Sequence, residues 1–308
     1  MDLCDIQQIK ALLSRHGFHF SKSMGQNFLV EDWVPRDIAE ASGASPSCGV
    51  LEVGPGIGPL TQELSRRAGR VVSVELDRSL LPILSETMAG RENVEIVPGD
   101  ILKTDLAALT AEKFPGLTPL ACANLPYNIT SPAITALIQA GVFAAITVMI
   151  QREVALRICA RPGTPDYGAF SVFCQYHTAP ELLFEVPPSC FIPAPKVTSA
   201  VLRMTPRPAP AEVDDEAHFF RVVRAAFAQR RKTLANSLTS SLSGLYTKED
   251  IQEAIRICGL APDVRGERLG IPVCIRFPSS LHRFTIYLQS CFLAPVRNTE
   301  EQRECFLF

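Results

Sequence analysis

The sequence has 308 residues, of which 47% are apolar and 20% are charged, as is typical of an ordinary soluble globular protein. This length is sufficient for one large domain and a smaller one. The formal charge of −2 excludes a global attraction to nucleic acid, so any contact with RNA must come from a local basic patch.

Signals for targeting, membrane insertion and metal binding are missing from the sequence. The first ten residues, MDLCDIQQIK, contain acids and no apolar run, and no stretch reaches the roughly 18 to 20 apolar residues of a membrane span. The ten cysteines are scattered, without a CxxC pair or a Cys/His cluster at metal-ligand spacing. We therefore expect a cytoplasmic, soluble protein with reduced cysteines, no metal and no membrane association.

The first half of the chain predicts an α/β fold. Residues 1–21 predict a short amphipathic helix that ends near Gly17, and the polar lead-in SKSMGQNFLV follows it. From Val50, short apolar strands alternate with helices of about 12 residues, which predicts a parallel sheet covered on both faces. The predicted strands are GVLEVG, VVSVELD, NVEIVPGD, TPLACAN and AAITVMIQ, followed by ELLFEVP and TSAVLRM as the last strands of the same sheet.

The composition changes at residues 205–217, TPRPAPAEVDDEA, which are rich in Pro and Ala and contain an acidic run. Such a segment is typical of a linker. Helical patterns follow it in HFFRVVRAAFAQRRKTLANSL and KEDIQEAIRICGL. The predicted organisation is a lead-in over 1–21, an α/β domain over 22–207, a small helical domain over 208–269 and a divergent tail over 270–308.

A glycine-containing loop, EVGPGIG, follows the first predicted strand. Gly54, Gly56 and Gly58 allow a tight turn and a close backbone approach to a ligand. The dinucleotide fingerprint GxGxxG would need a further glycine where this chain has Pro59, and no basic residue follows to hold a phosphate. The loop by itself is therefore a weak indication of a nucleotide site.

Two acids strengthen that indication because they end the next two predicted strands. Glu75 lies about 20 residues after Gly54, where a carboxylate can accept hydrogen bonds from ribose hydroxyls. Asp100, in PGDIL, can accept from an adenine amino group. Each acid alone is more often a loop residue or a helix cap, but three successive strand ends with these features predict a ribose and an adenine without a phosphate.

The motifs EVGPGIG, VELD, PGDIL and NLPY together resemble the S-adenosylmethionine-dependent methyltransferases with a Rossmann-like sheet. With SKSMGQNFL, NLPYNIT, FIPAPKVTSAV and AFAQRRKTLANSL, the chain is similar to the rRNA adenine N6-dimethyltransferase family, from about Phe18 to Leu269. Within that family it is most similar to the branch that acts on bacterial 16S rRNA. The resemblance implies an enzyme that dimethylates N6 of two adjacent adenosines near the 3′ end of 16S rRNA during small-subunit maturation, as a monomer.

The resemblance also implies the site residues. S-adenosylmethionine contacts carry over to Asn27, Leu29, Gly54, Glu75, Asp100 and Asn124, with Gln26, Gly56, Ile57 and Ile101 as neighbours in the same pocket. The catalytic set is Asn124, Leu125, Pro126, Tyr127 and Phe191.

The NLPY residues suit methylation of an exocyclic amine, which is a poor nucleophile because its lone pair is delocalised. The Asn124 side chain and the carbonyl of Leu125 or Pro126 can accept from its two N–H groups and direct the lone pair at the methyl group. Tyr127 can stack on the base. Asn and Pro at a strand end could also form a simple turn, and Phe191, expected to be exposed, could fill a core edge instead of contacting the adenine.

The run RVVRAAFAQRRK is basic and contains no acid. On a single helix, Arg221, Arg224, Arg231 and Lys232 fall within about a third of the circumference. Arg230 falls on the apolar side, and we expect it to pair with an acid or a carbonyl. Residues that could extend this RNA-binding patch are Arg152, Arg157, Arg161 and Lys196, and Arg15 and Lys22 could close over cofactor or RNA.

Several alternatives remain at the level of sequence. A relative that methylates large-subunit rRNA and confers antibiotic resistance shares most motifs, and a ribosome assembly factor could keep the fold without the activity. A DNA amine or protein glutamine methyltransferase would lack FIPAPKV and the basic helix. A dehydrogenase is disfavoured by Pro59. The resemblance stops after Leu269.

Overall fold

The computed structural model describes residues 1–20, 26–208, 213, 215–272 and 274. Contacts between Cα atoms divide these residues into two units. The first contains residues 1–155 and 178–206, and the second contains residues 156–177 and the described residues from 207 onward. The predicted lead-in at 21–25, part of the predicted linker and nearly all of the predicted tail lie outside the described residues.

A seven-stranded sheet forms the centre of the first unit. The described residues form nine strands, of which the first and the eighth make a separate two-stranded sheet. In chain order, the strands are β1 (Phe28–Leu29), β2 (Cys48–Val53), β3 (Arg70–Glu75), β4 (Val94–Pro98), β5 (Thr118–Asn124), β6 (Ala145–Gln151), β7 (Thr178–Val186), β8 (Phe191–Ile192) and β9 (Ser199–Pro206). The spatial order is β4-β3-β2-β5-β6-β9-β7. The first five of these strands are parallel, and β9 runs antiparallel to both of its neighbours, β6 and β7. The separate strands β1 and β8 pair antiparallel, with Leu29 opposite Phe191.

This sheet confirms the predicted Rossmann-like fold. Strand order runs outward from β2 through β3 to β4, and then restarts on the other side of β2 with β5 and β6. A crevice therefore opens between the carboxyl ends of β2 and β5, which is where open α/β sheets bind their ligands. The glycine loop follows β2, Glu75 ends β3, and NLPY begins at the end of β5, so the topology directs all three motifs to one edge.

Helices cover this sheet, and their starts follow local sequence signals. Those of the first unit are α1 (Ile6–Arg15), α2 (Trp33–Ala41), α3 (Pro59–Ser65), α4 (Leu81–Thr87), α5 (Leu106–Lys113), α6 (Thr130–Gln139) and the beginning of α7 (Arg152–Ile158). Asp5 and Asp105 cap α1 and α5 by accepting from the Gln8 and Ala108 amides. Pro59, which breaks the dinucleotide fingerprint, is the first residue of α3, where its missing N–H has no cost.

The second unit is helical. It contains α8 (Ala169–His177), α9 (Glu216–Phe227), α10 (Leu234–Ser241) and α11 (Lys248–Ile257). The α8 rings pack on α9: Phe173 lies 5.4 Å from Phe220, and Tyr176 lies 4.9 Å from Phe219, between ring centroids. Residues 156–177 therefore belong with the C-terminal helices and not with the α/β domain assigned from sequence, because their buried aromatic side chains find their partners there.

The predicted single helix over HFFRVVRAAFAQRRKTLANSL is wrong, because two helices form instead. Helix α9 ends at Phe227, and α10 begins at Leu234 with Thr233 as its N-cap, whose side chain accepts from the Asn236 amide. Arg231 and Lys232 consequently lie in the connection and not on one helical face with Arg221 and Arg224. Within the described ranges, no helix has the length and apolar character that a membrane crossing requires.

Candidate active site

A cavity of about 200 Å³ opens at the carboxyl ends of the parallel strands in the first unit. It is lined by residues that follow β2, β3, β4 and β5, together with residues of β1 and β8. Segments far apart in sequence therefore converge on one space. The predicted site residues that line it are Gln26, Asn27, Leu29, Gly54, Gly56, Glu75, Asp100, Ile101, Asn124, Leu125, Pro126, Tyr127 and Phe191.

Ile57 is the one predicted pocket neighbour that does not line the cavity. Its side chain is fully buried and packs in a core cluster with Leu80, Ile83 and Leu84. The turn of the glycine loop directs the Gly56 backbone to the cavity and the next side chain into the core. Ile57 therefore anchors the loop from behind.

The glycines of this loop serve different purposes. Gly56 has a φ of 61° and lines the cavity, and an added Cβ would lie 3.4 Å from the Phe28 ring. Gly58 has a φ of 100°, and an added Cβ would lie 2.5 Å from the Met88 Cε. Both conformations are in the region that favours glycine. Gly56 thus keeps the backbone close to the cavity, and Gly58 allows α3 to start against α4.

Glu75 presents a buried carboxylate to the cavity, with 6% of its surface exposed. Burial raises its pKa, and backbone amides of Asp77, Gly56 and Leu76 partly oppose this by donating to the carboxylate. The Asp77 nitrogen lies 2.7 Å from Oε1 of Glu75. Asp77 in turn accepts from Nε2 of Gln26 at 2.6 Å, so Gln26 supports the turn that holds Glu75.

Asp100 lies in the turn after β4 and is less enclosed than Glu75. Its Oδ1 accepts from the Leu102 amide at 3.0 Å, and its Oδ2 lies 3.8 Å from Nζ of Lys103. One carboxylate oxygen therefore fixes the turn, as in the loop or cap interpretation of an isolated acid. Asp100 still lines the cavity together with Ile101 and Leu102, which supply apolar surface.

Glu52 is a cavity residue that the sequence reasoning did not single out. It is 1% exposed, and its Oε2 accepts from the hydroxyls of Thr61 and Ser73, each at 2.6 Å. Burial raises its pKa to about 7 despite these two hydrogen bonds. A carboxylate in the middle of the apolar strand GVLEVG was the available signal, since buried acids require dedicated partners.

The NLPY segment turns sharply out of the sheet. The Leu125 amide donates to the Met149 carbonyl of β6 at 3.1 Å, which keeps the turn attached to the neighbouring strand. The Pro126 carbonyl accepts from the Ile129 amide at 3.1 Å and from the Thr130 hydroxyl at 3.3 Å. Asn124 and Leu125 therefore end the strand at the cavity, while Pro126 starts a short 3₁₀ turn over Tyr127–Ile129.

Two aromatic residues line the cavity near this segment. The Tyr127 ring is half-buried, and its hydroxyl lies 2.7 Å from Oγ of Ser199. Phe191 is only 5% exposed and belongs to a core cluster with Leu29. The expected exposure of Phe191 is wrong, because pairing of β8 with β1 holds its side chain against the core. Phe191 nevertheless lines the cavity.

The basic residues are divided between the two units. In the second unit, Arg221, Arg231 and Lys232 are exposed, and Arg224 is partly buried. Arg230 donates from its guanidinium to the Pro165 carbonyl, which confirms the expected pairing with a carbonyl.

In the first unit, Lys196 is exposed, whereas Arg152 forms an ion pair with Glu185 in which both side chains are 46% exposed. The charge of Arg152 is therefore partly compensated within the protein. Arg15 is paired with Glu86, and Lys22 lies outside the described residues.

The profile of the family described as "Ribosomal RNA adenine dimethylase" matches residues 17–262. The chain belongs to this family. Adenine dimethylases of ribosomal RNA transfer methyl groups from S-adenosylmethionine, so membership confirms both the predicted enzyme class and the predicted cofactor. It also excludes the dehydrogenase, DNA and glutamine methyltransferase alternatives.

Individual relatives of the adenine dimethylase family agree with this assignment. "Ribosomal RNA small subunit methyltransferase A" of Geobacillus thermodenitrificans is 46% identical over 272 residues, which cover 87% of this chain and 93% of that protein. The protein of the same name from Alkaliphilus metalliredigens is 44% identical over 264 residues, covering 85% and 92%.

Solved structures of similar fold include the 23S rRNA methyltransferase ErmE, with a TM-score of 0.62 and 27% identity over 83% of this chain and 99% of that chain. A dimethyladenosine transferase from Plasmodium falciparum has a TM-score of 0.67 and 23% identity over 83% and 97%. This second likeness concerns the fold alone. Each of the two structures matches the fold of this chain over 83% of its length.

Proposed function

We propose that this protein transfers two methyl groups to N6 of each of two adjacent adenosines near the 3′ end of 16S rRNA. It acts as a cytoplasmic monomer on the immature small subunit. The observation that carries the proposal is the cavity in which the NLPY segment, the glycine loop and the buried Glu75 carboxylate converge. The choice of small-subunit RNA is supported by relatives named for that subunit at 42% to 46% identity.

The residues that line the cavity fit S-adenosylmethionine, which supplies an electrophilic methyl group on a sulfonium. Glu75 offers a carboxylate at the end of β3, where ribose hydroxyls can donate to it. Asp100 and the apolar Ile101 suit an adenine ring, and Gly54 and Gly56 let the backbone approach closely. Asn27, Leu29 and Asn124 complete the predicted contacts.

The NLPY residues orient the amine of the target adenine. The Asn124 side-chain oxygen can accept from one N–H of that amine, and a backbone carbonyl can accept from the other. Because the Pro126 carbonyl already accepts two hydrogen bonds, Leu125 is the better source of that second acceptor. Holding both N–H groups directs the nitrogen lone pair at the methyl group, so positioning supplies much of the rate without a general base.

Aromatic contact offsets the cost of bringing the adenine into the cavity. Taking a base out of its stack costs a few kcal/mol, and stacking on an aromatic side chain contributes about 1 to 3 kcal/mol. Tyr127 lines the cavity beside Asn124 and Leu125 and is placed to supply this contact. Phe191, which is largely buried but lines the cavity, supplies a second apolar surface.

The helical domain predicted over 208–269 is proposed to bind RNA. Arg221 on α9 and Arg231 and Lys232 in the connection to α10 are exposed cations, and residues 217–248 contain no acid. Contacts with phosphates would make RNA affinity fall as salt rises. Arg224, Arg152 and Lys196 are proposed to contribute less, because Arg224 is partly buried, Arg152 is paired with Glu185 and Lys196 is a single charge.

The second candidate function is methylation of large-subunit rRNA. It is favoured by one observation, the structural likeness to the 23S rRNA methyltransferase ErmE. The same catalytic residues would serve both functions, since only the RNA surface that presents the adenine differs. The two are therefore separated by substrate and not by the chemistry of the cavity.

The test incubates the protein with labelled S-adenosylmethionine and, in parallel, unmethylated small subunits, large subunits and free rRNA. We expect label as N6,N6-dimethyladenosine only with small subunits, and a reduction of at least 100-fold in Asn124→Ala, on the order expected when a positioning group is removed. Gln139→Ala, an exposed amide at the end of α6, is the control and should retain full activity. Label on large-subunit RNA would support the second candidate, and binding without label would support an assembly factor.

A further inference from the structure

One hydrogen bond joins the candidate adenine-binding ring to a distant strand. The Tyr127 hydroxyl lies 2.7 Å from Oγ of Ser199, 72 residues further along the chain. Ser199 is 0% exposed and is the first residue of β9, where it pairs with Gln151 of β6 and Val186 of β7. The Ser199 backbone is therefore fixed by strands on both sides, and its side chain is buried.

Tyr127 itself has less backbone support. It opens the short 3₁₀ turn over Tyr127–Ile129, and its ring is half-buried at the cavity wall. A tyrosine ring can pivot about two side-chain torsions, and a flat ring stacks on a base only in one plane. A fixed partner at the hydroxyl, which is the atom furthest from the backbone, removes most of that freedom.

The chain between β8 and β9 connects both aromatic residues of the cavity. It begins at Phe191, which borders the cavity, and ends at Ser199, which holds Tyr127. The Phe191 backbone is held by β1 and the Ser199 backbone by β6 and β7. A single segment thus sets the position of one ring directly and the orientation of the other through a hydrogen bond.

We propose that Ser199 is a positioning residue for methyl transfer, which holds the Tyr127 ring in the plane that the target adenine requires. This inference rests on the proposed function of Tyr127 as a surface for the adenine. Ser199 touches neither the reacting nitrogen nor the methyl donor and acts through the tyrosine ring alone. Its effect is therefore expected in the transfer step and not in cofactor binding.

The test compares Ser199→Ala, Tyr127→Phe and the double variant in single-turnover methylation of whichever rRNA the wild-type protein accepts. We expect each single variant to slow transfer about 10-fold, because each removes the same hydrogen bond and leaves the ring in place. The double variant should be no slower than either single variant, as for two halves of one interaction. Affinity for S-adenosylmethionine, measured by calorimetry, should stay within twofold of wild type in all three.

The control is Ser42→Ala, which removes another buried serine hydroxyl of the same unit, one that donates to the Ala39 carbonyl at 2.7 Å. It should lower the melting temperature as Ser199→Ala does while leaving the transfer rate unchanged. The inference is overturned if Tyr127→Phe transfers at the wild-type rate, if the losses in the double variant multiply, or if Ser199→Ala weakens cofactor binding. A failure of the proposed substrate would appear instead in the wild-type protein, as label on a different RNA.

Discussion

At the scale of a single residue, burial of the Glu52 carboxyl makes the free energy of unfolding depend on pH. Its carboxyl is 1% exposed, and its pKa is raised from 4.5 to about 7 by burial. The folded protein therefore binds this proton more tightly than the unfolded chain does. As pH rises from about 4.5 to about 7, the unfolded chain releases this proton while the folded protein keeps it, so the free energy of unfolding falls.

We predict that Glu52→Gln removes this fall, because the amide keeps an oxygen acceptor for Thr61 and Ser73 and has no charge. The variant should gain up to about 3 kcal/mol relative to wild type between pH 5 and 8, from a pKa change of this size. Urea unfolding at several pH values measures the difference. Glu92→Gln, at an exposed position, should give a curve parallel to wild type, and a similar parallel curve for Glu52→Gln would contradict the prediction.

At the residue scale, the position of a side chain could be predicted best where the residue lies at the end of a strand. Glu75 and Asn124 lie at strand ends, and the carboxyl ends of parallel strands meet at one edge, so their convergence could be predicted. Ile57 lies in an irregular loop, where no periodicity indicates which way a side chain points. Glu52 was overlooked because an acid in an apolar strand shows its partners only once Thr61 and Ser73 are placed beside it.

At the scale of the element, the backbone conformation of Gly58 allows α3 to begin against α4. Its φ of 100° strains any other residue, and a Cβ would also lie 2.5 Å from Met88. We predict that Gly58→Ala lowers the free energy of unfolding by about 2 kcal/mol or more, with roughly 1 to 2 kcal/mol of that from the backbone conformation. Thermal or urea unfolding measures the loss.

Gly90→Ala is the matched control for this prediction. Gly90 has a φ of 78°, and a Cβ there would meet nothing within 4 Å. This variant should therefore lose only the backbone contribution, roughly 1 to 2 kcal/mol. Equal losses in the two variants would mean that the contact with Met88 relaxes without cost.

Element boundaries were the least predictable part of the fold. The segment RVVRAAFAQRRKTLANSL has good helix-forming residues on both sides of the actual break, and intrinsic propensity gives no reason to stop at Phe227. Thr233 was the local signal, since its side chain caps α10 and competes with continuation of the helix. The correction matters for function, because it moves Arg231 and Lys232 from a helix face into a connection.

Salt dependence tests the proposed RNA-binding role of the helical unit at the scale of the molecule. We predict that Arg231→Ala combined with Lys232→Ala weakens binding to rRNA and lowers the slope of log affinity against log salt. The slope should fall by about 0.7 to 0.9 for each RNA phosphate that the variant no longer neutralises. Filter binding or fluorescence anisotropy at several salt concentrations measures the slope.

Arg256→Ala is the charge control for the helical unit. Arg256 lies on α11 and forms an ion pair with Glu253. Its removal therefore changes the net charge but leaves Arg221, Arg231 and Lys232 in place. Its slope should match that of wild type. If all variants lowered the slope equally, net charge and not a defined phosphate-binding surface would account for RNA binding.

The division into two units could be predicted only in part. A compositional change near residues 205–217 indicated one boundary, and the chain does pass into the second unit at residue 207. Nothing in the pattern of residues 156–177 indicates which neighbours their apolar side chains contact. Phe173 and Tyr176 would suit a helix on the sheet equally well, and only the partner rings on α9 reveal their place.

Residues 156–177 belong to the second unit although residues 178–206 return to the first, and this limits how the protein can be divided into fragments. During synthesis, α8 leaves the ribosome well before α9, so Phe173 and Tyr176 lack their partner rings on α9 until the chain has passed Phe220. A fragment ending at residue 207 would keep these rings exposed and prone to aggregate, and a fragment starting at 208 would lack the helix that covers α9. Separate expression of the helical unit therefore requires residues 156–177 to be joined to it.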